Sequence, residues 1–190
     1  NVFGENGLKE QQVVTSSFAN GSPKTAEIRS GSGKLIGTRF FDERAPGNWT
    51  QQNADGSTTT HTVTKNKDGS VESITDTRDK NGNAGTYVRQ KNTTFKDEKG
   101  LDKTRRETWT TDRKTGAQQK RTEIGKTDQK GRFRVLEQTD ESYQITQGKQ
   151  EKETGLKVKT TSTFAYDEQG NLQVRHTRDA DDRLLNTRYY

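Results

Sequence analysis

Asn53 to Gly82 reads NADGSTTTHTVTKNKDGSVESITDTRDKNG, and three tetrads within it share the form Asn/Asp-x-x-Gly. These are Asn53-Ala54-Asp55-Gly56, Asn66-Lys67-Asp68-Gly69 and Asp79-Lys80-Asn81-Gly82, spaced thirteen residues apart. An Asn or Asp that opens a turn can accept a hydrogen bond from a backbone N–H two residues on. The closing Gly takes the left-handed conformation that ends a type I turn with a bulge, the geometry of a short β-hairpin loop. The segments between the tetrads are rich in Thr, whose branched side chain suits a pleated surface. This stretch therefore specifies hairpins.

Working outward, Asp97-Glu98-Lys99-Gly100, Asp128-Gln129-Lys130-Gly131 and Asp167-Glu168-Gln169-Gly170 repeat the tetrad at wider intervals. Lys114-Thr115-Gly116 and Glu153-Thr154-Gly155 are looser copies, and Asp179-Ala180-Asp181-Asp182 lacks the glycine. Strands are expected over 57–65, 70–78, 86–96, 101–111, 117–127, 132–146, 156–166, 171–178 and 183–190. No segment carries the apolar period of a helix. The short connections imply an all-β, antiparallel meander of repeated hairpins. Upstream, Gly21-Ser22-Pro23, Gly31-Ser32-Gly33 and Ala45-Pro46-Gly47-Asn48 break the chain into pieces. Only 11–18 and 35–41 read there as strands. Residues 1–52 are thus expected to form an N-terminal arm or cap, and 53–190 the hairpin domain.

The sheet has little to bury. Hydrophobic residues make up 23% of the chain and charged residues 32%, against about half apolar in an ordinary domain. The expectation is an elongated or strongly twisted, thin-cored sheet, and the choice among flat meander, open barrel and coiled spiral stays open. A thin apolar face is expected in the C-terminal half, with Phe133 beside Val135, Tyr143 beside Ile145, and Leu156, Val158, Phe164 and Tyr166 continuing into Leu172 and Val174. Such a sheet has exposed edges that invite pairing with another chain.

Phe164-Ala165-Tyr166-Asp167-Glu168-Gln169-Gly170-Asn171-Leu172 resembles the YD repeat of Rhs-type and teneurin-type proteins. There a tyrosine-aspartate pair leads into a glycine turn followed by Asn/Arg-Leu, and Arg188-Tyr189-Tyr190 resembles the start of another copy. The resemblance, over residues 164–190, implies a β-sheet spiral that serves as a shell or scaffold.

The motifs of catalysis and metal binding are missing from the sequence. It holds no Cys and only two His, His61 and His176, far apart and without metal-ligand spacing. No G-x-S-x-G elbow occurs, and no segment matches a calcium loop. No catalytic, cofactor or metal residue is assigned. No apolar run approaches the roughly 18 residues that span a bilayer. The chain begins Asn1-Val2-Phe3 and has no Met, which reads as a secreted or cell-surface chain after removal of a signal peptide.

Two functions fit this pattern. One is a non-catalytic structural or adhesive surface protein, of fibre, biofilm matrix or larger β-shell, associating with itself or with another β protein. Its assembly arm is expected at Val13, Val14 and Phe18. The other is a basic module for a polyanion, in the first place an acidic polysaccharide or cell envelope and less so nucleic acid. The net charge of +6 and the cluster Lys103, Arg105, Arg106, Lys120, Arg121, Arg132 and Arg134, with Trp109 interleaved, suit that chemistry.

Overall fold

The fold is known from a computed structural model, which describes residues 2–3, 9–128, 131–144 and 156–190. Every strand lies beside its neighbours in the chain, and the order of the sheet runs linearly from β1 to β14. The strands are β1 (Val2–Phe3), β2 (Lys9–Ser17), β3 (Pro23–Arg29), β4 (Leu35–Phe41), β5 (Trp49–Asn53), β6 (Thr58–Lys65) and β7 (Val71–Arg78). There follow β8 (Ala84–Lys96), β9 (Asp102–Asp112), β10 (Ala117–Thr127), β11 (Phe133–Gln144), β12 (Leu156–Tyr166), β13 (Leu172–Arg178) and β14 (Leu184–Tyr189). No helix occurs among the described residues. The all-β antiparallel meander expected from the turn tetrads is the fold observed.

The turns work as their chemistry dictates. At Asn53, Asn66, Asp79, Asp97, Asp128 and Asp167 the glycine N–H donates to the carbonyl of the opening residue. The opening residue's own N–H donates to the carbonyl just past the glycine. The glycines that close these turns all have φ between 73° and 84°, where a Cβ would be strained. In the Asp-led turns the carboxylate adds a second set of bonds. Asp97 accepts from the N–H groups of Lys99 and Leu101, and Asp179 from those of Asp181 and Arg183. These donors favour the charged carboxylate and hold Asp97, Asp167 and Asp179 below the ordinary carboxylate range. The Asn-led turns shift the task to the third position, where Asp55 and Asp68 accept from the N–H and hydroxyl of Ser57 and Ser70. At Asp179–Asp182 the sequence offers no glycine, and Asp182 itself adopts φ 63°. The turn before Gly116 is wider than the tetrad suggested: Gly116 N–H reaches back to the Asp112 carbonyl, and Asp112 caps Lys114 and Thr115. Glu153-Thr154-Gly155 and Ile145 lie outside the described residues.

A second irregularity recurs beside the turns. Arg29 faces Leu35 but Ile28 faces Gly37, so Ile36 is an extra residue. Gln173 and Leu185 are extra in the same way, each just after the leucine that leaves its turn. Such bulges re-aim the side chains beyond them. They also break the apolar face expected in the C-terminal half. Because of the bulge at Gln173, Val174 lies opposite Ala165, and Phe164 lies opposite Arg175. Phe133 and Val135 do share a face, opposite Thr127 and Gly125.

By compactness the chain divides into two units, residues 1–64 with 73–87, and residues 65–72 with 88–190. In the first, β3 and β5 are strands that the sequence reading passed over. β3 supplies Ala26 and Ile28, the hydrophobic residues that are fully buried among the described residues. They lie opposite Arg39 and Gly37 of β4. In the second unit the fully covered side chains are polar. Ser70 is held by Asp68 and Asn66, and Ser162 by Thr177 and Arg175. One fully buried Ile contributes about 2–3 kcal/mol, so apolar burial on this scale cannot carry the fold. Cross-strand pairs take up the load, among them Arg89–Glu72 (2.7 Å), Arg121–Asp140 (2.7 Å) and the rings under Arg106 and Arg175.

Gly125 tests this packing. A Cβ there would run into the Arg134 carbonyl oxygen and sit 2.7 Å from the Phe133 ring. Gly125→Ala is therefore expected to lower stability by about 1–3 kcal/mol. Asp182→Gly is expected to raise it by up to about 1 kcal/mol by relieving the left-handed backbone. Urea midpoints of the two variants should move in opposite directions from the parent.

Candidate functional site

The basic residues singled out in the sequence lie on β9, β10, the β10–β11 turn and β11. Lys120 is directly opposite Trp109, Arg106 opposite Glu123, and Arg121 opposite Thr108. Alternate residues of a strand point to opposite faces. Lys103, Arg105 and Trp109 therefore share a face with Lys120, while Arg106 and Arg121 point the other way. Arg132 and Arg134 both close on the Asp128 carboxylate, at 2.9 and 3.0 Å. The structure does not bring this set together in one patch.

Nor are these cations left to a ligand. Lys103 pairs with Asp97 (3.5 Å), Arg106 with Glu123 (3.4 Å), Lys120 with Glu107 (3.7 Å) and Arg121 with Asp140 (2.7 Å). Arg105 lies over Phe95 at 5.4 Å and Arg106 over Phe133 at 4.4 Å. Arg106 Nε is the buried side-chain nitrogen without a hydrogen-bond partner among the described residues. Trp109 is flanked by Arg89 (5.3 Å) and Lys120 (5.5 Å). A groove of about 570 Å³ on the Arg106–Arg121 face carries both signs of charge, with Glu123 and Asp140 beside the two arginines. A polyanion entering it would meet those carboxylates.

A more closely knit cluster lies in the first unit. Phe41, Arg39 and Gly37 of β4 face Trp49, Gln51 and Asn53 of β5, and Trp49 faces His61 of β6. The Arg39 guanidinium sits 3.9 Å from the centre of the Trp49 ring, and His61 stacks on Trp49 at 5.0 Å. Arg39 also donates through Nε and Nη2 to Gln51 Oε1. Gln51 Nε2 donates to Asn53 Oδ1, and Asn53 Nδ2 donates to Ser57 and Thr59. This ladder is a polar substitute for a core, linked from β4 to β6. Burial, aided by the Arg39 charge, holds the His61 imidazole below its ordinary pKa. Its Nδ1 lies 2.9 Å from Thr75 Oγ1, as that of His176 lies 2.9 Å from Thr187 Oγ1. Among the described residues no three His, Asp or Glu side chains gather as metal ligands.

Beside the ladder, the connection from Asp42 to Asn48 folds over β6. Asn48 Oδ1 accepts from the Val63 N–H (2.7 Å), and a Cβ added at Gly47 would meet the Val63 methyl at 3.4 Å. The connection borders an open groove with Phe18, Phe40 and Trp49 in its wall. The sequence reading missed this cluster. Its signal was the period-two run of Gly37, Arg39 and Phe41 against Trp49, Gln51 and Asn53, masked by the polar character of the members.

Among the described residues the sheet order runs from β1 and β2 at one end to β14 at the other. β2 pairs with β3 on one side, while β1 covers only Lys9 and Glu10 on the other. Val13 and Val14, each 46% exposed, therefore sit on a strand with an open outer edge among the described residues. Phe18 belongs to the turn that follows and bonds to Ser22 and Gly21. Among the described residues β14 pairs with β13, and Leu184, Leu185, Tyr189 and Tyr190 are all more than half exposed. No helix among the described residues is long and apolar enough to cross a membrane. No family model matches the sequence, and no curated protein matches it significantly.

Because the folded state disfavours a charged His61, stability from this ladder is complete above the ordinary histidine pKa near 6.5 and declines as pH falls below it. The melting temperature of the parent should therefore drop between pH 8 and pH 5 more than that of His61→Phe, which keeps a ring on Trp49 and cannot protonate. Equal drops would remove His61 as the cause.

Proposed function

We propose that this chain is a non-catalytic structural or surface element that assembles through its sheet edges into a fibre, a matrix or a larger β-shell. The observation that carries this reading is a sheet that does not close on itself, in which β2 and β14 carry exposed apolar side chains. An unpaired edge with exposed apolar residues is a template for a further strand. The scarcity of buried apolar residues points the same way, because a chain with so little core gains from packing against copies of itself. The likeness of Phe164–Leu172 to a YD repeat supports a shell or scaffold.

An extracellular or cell-surface setting suits the composition. The chain has neither Cys nor Met, so its exposed surface offers no sulfur to oxidation. The polyanion module remains the second reading, favoured by the net charge of +6 and opposed by the carboxylates paired with its cations.

Light scattering after size-exclusion chromatography separates the two. The structural reading expects a β-rich circular dichroism spectrum and species that grow with concentration, little changed between about 0.05 and 0.5 M salt. Val13→Lys should shrink them. A β-rich monomer at every concentration that binds heparin with a steep salt dependence would contradict assembly and favour the polyanion module.

A further inference from the structure

We propose that the groove beside the β4–β5 connection is a binding site for an uncharged oligosaccharide, which lies against Phe40 and is held by Asp42, Glu43, Asn48 and Trp49. This site is independent of edge assembly.

The connection is unlike the others. Residues 42–48 form a longer link than any other wholly described connection of the sheet, and its own bonds fix its shape. Asp42 N–H donates to the Asn48 carbonyl (3.1 Å), Asn48 N–H to the Ala45 carbonyl (2.9 Å) and Arg44 N–H to Asp42 Oδ1 (2.9 Å). Asn48 Oδ1 ties the loop to β6 through the Val63 N–H. A loop held in shape beforehand loses little freedom when it binds, and binding residues concentrate on such loops. The groove it borders measures about 910 Å³, within the size of small-molecule sites. Adjacent strand residues point to opposite faces. A groove with both Phe40 and Phe41, and both Trp49 and Thr50, in its wall therefore runs round the end of β4 and the start of β5.

The polar groups of this wall are not consumed by the fold. Among the described residues Glu43 and Arg44 make no ion pair, and Asp42 Oδ2, Asn48 Nδ2 and Trp49 Nε1 make no hydrogen bond. Arg39 and His61 hold the Trp49 ring in place, while Phe40 stands 42% exposed. These groups select the ligand. The carboxylates accept, the indole N–H and the Asn48 amide donate, and sugar hydroxyls do both. The Phe40 ring suits the C–H face of a pyranose. A purely apolar ligand would cover the polar groups and leave them without partners, at a cost. Asp42 and Glu43 outweigh Arg44, and their excess negative charge turns a polyanion away.

The full chain is the material for the test, with cellotetraose, chitotetraose and maltotetraose as probes. Trp109→Phe leaves Trp49 as the single tryptophan, so its fluorescence reports this groove, and calorimetry of the parent gives the same reading should that variant not fold. At least one tetrasaccharide should bind saturably with a Kd on the order of 1 mM, unchanged between about 0.05 and 0.5 M salt because the ligand is uncharged. Phe40→Ala and Glu43→Ala, both at exposed positions, should each weaken binding at least about tenfold. Thr108→Ala, in the groove of the second unit, should bind as the parent does. Circular dichroism checks that each variant folds. No saturable binding of any of the three probes up to about 10 mM, or parent-like affinity in folded Phe40→Ala and Glu43→Ala, overturns the site. Binding of oligolysine alone, fading with salt, overturns it too and assigns the groove to a basic peptide.

Discussion

The described fold depends on one backbone constraint: a residue in the left-handed region closes each described hairpin turn before its two strands can meet. Glycine meets that constraint at low cost, and the Asn or Asp that opens the turn satisfies the N–H groups the tight chain would otherwise leave bare. Once each turn is closed locally, the neighbouring strand is also the next one in the chain. The meander follows without any long-range pairing. A fold of this kind can tolerate a poor core, because its contacts are local and the entropy of bringing them together is modest.

The same economy shapes the packing. Where an ordinary sheet would bury a second layer, this one relies on cross-strand pairs and on rings covered by guanidinium groups. Arg39 on Trp49, Arg106 on Phe133 and Arg175 beside Phe164 repeat one device in different hairpins. Arginine is suited to it, being planar and weakly hydrated, with a stem that covers apolar surface while its donors reach neighbouring side chains. The Arg39–Gln51–Asn53 ladder is the most developed case, and it lies beside Ala26 and Ile28. The basic residues are thus largely spent on holding the sheet together. That is a physical reason to read the positive charge as structural.

The sequence announced some of this and hid the rest. β10 and β12 run residue for residue as the turn spacing implied, since Gly116, Gly131 and Gly170 bracket the segments around them. β3 and β5 were not legible, because Pro23 opens one and the other is five polar-rich residues beside a long connection. Bulges at Ile36, Gln173 and Leu185 have no marker in composition, yet they decide which side chains share a face. That is why the apolar stripe expected through Phe164 and Val174 is broken. The basic residues of β9 to β11 were visible as a cluster along the chain, but strand alternation sends them to both faces and register supplies each with a carboxylate or a ring. The Trp49–His61 stack needed the β4–β5–β6 register before it could be seen at all.

The heat-capacity change of unfolding tests the central claim most directly, because it reports the apolar surface that folding removes from water. Differential scanning calorimetry would be run at a concentration where the chain is monomeric. A sheet held by turns and cross-strand polar pairs predicts a value well below the roughly 12–15 cal/mol/K per residue of ordinary globular domains. A value within that range would mean that folding buries a full apolar core, and would contradict the account.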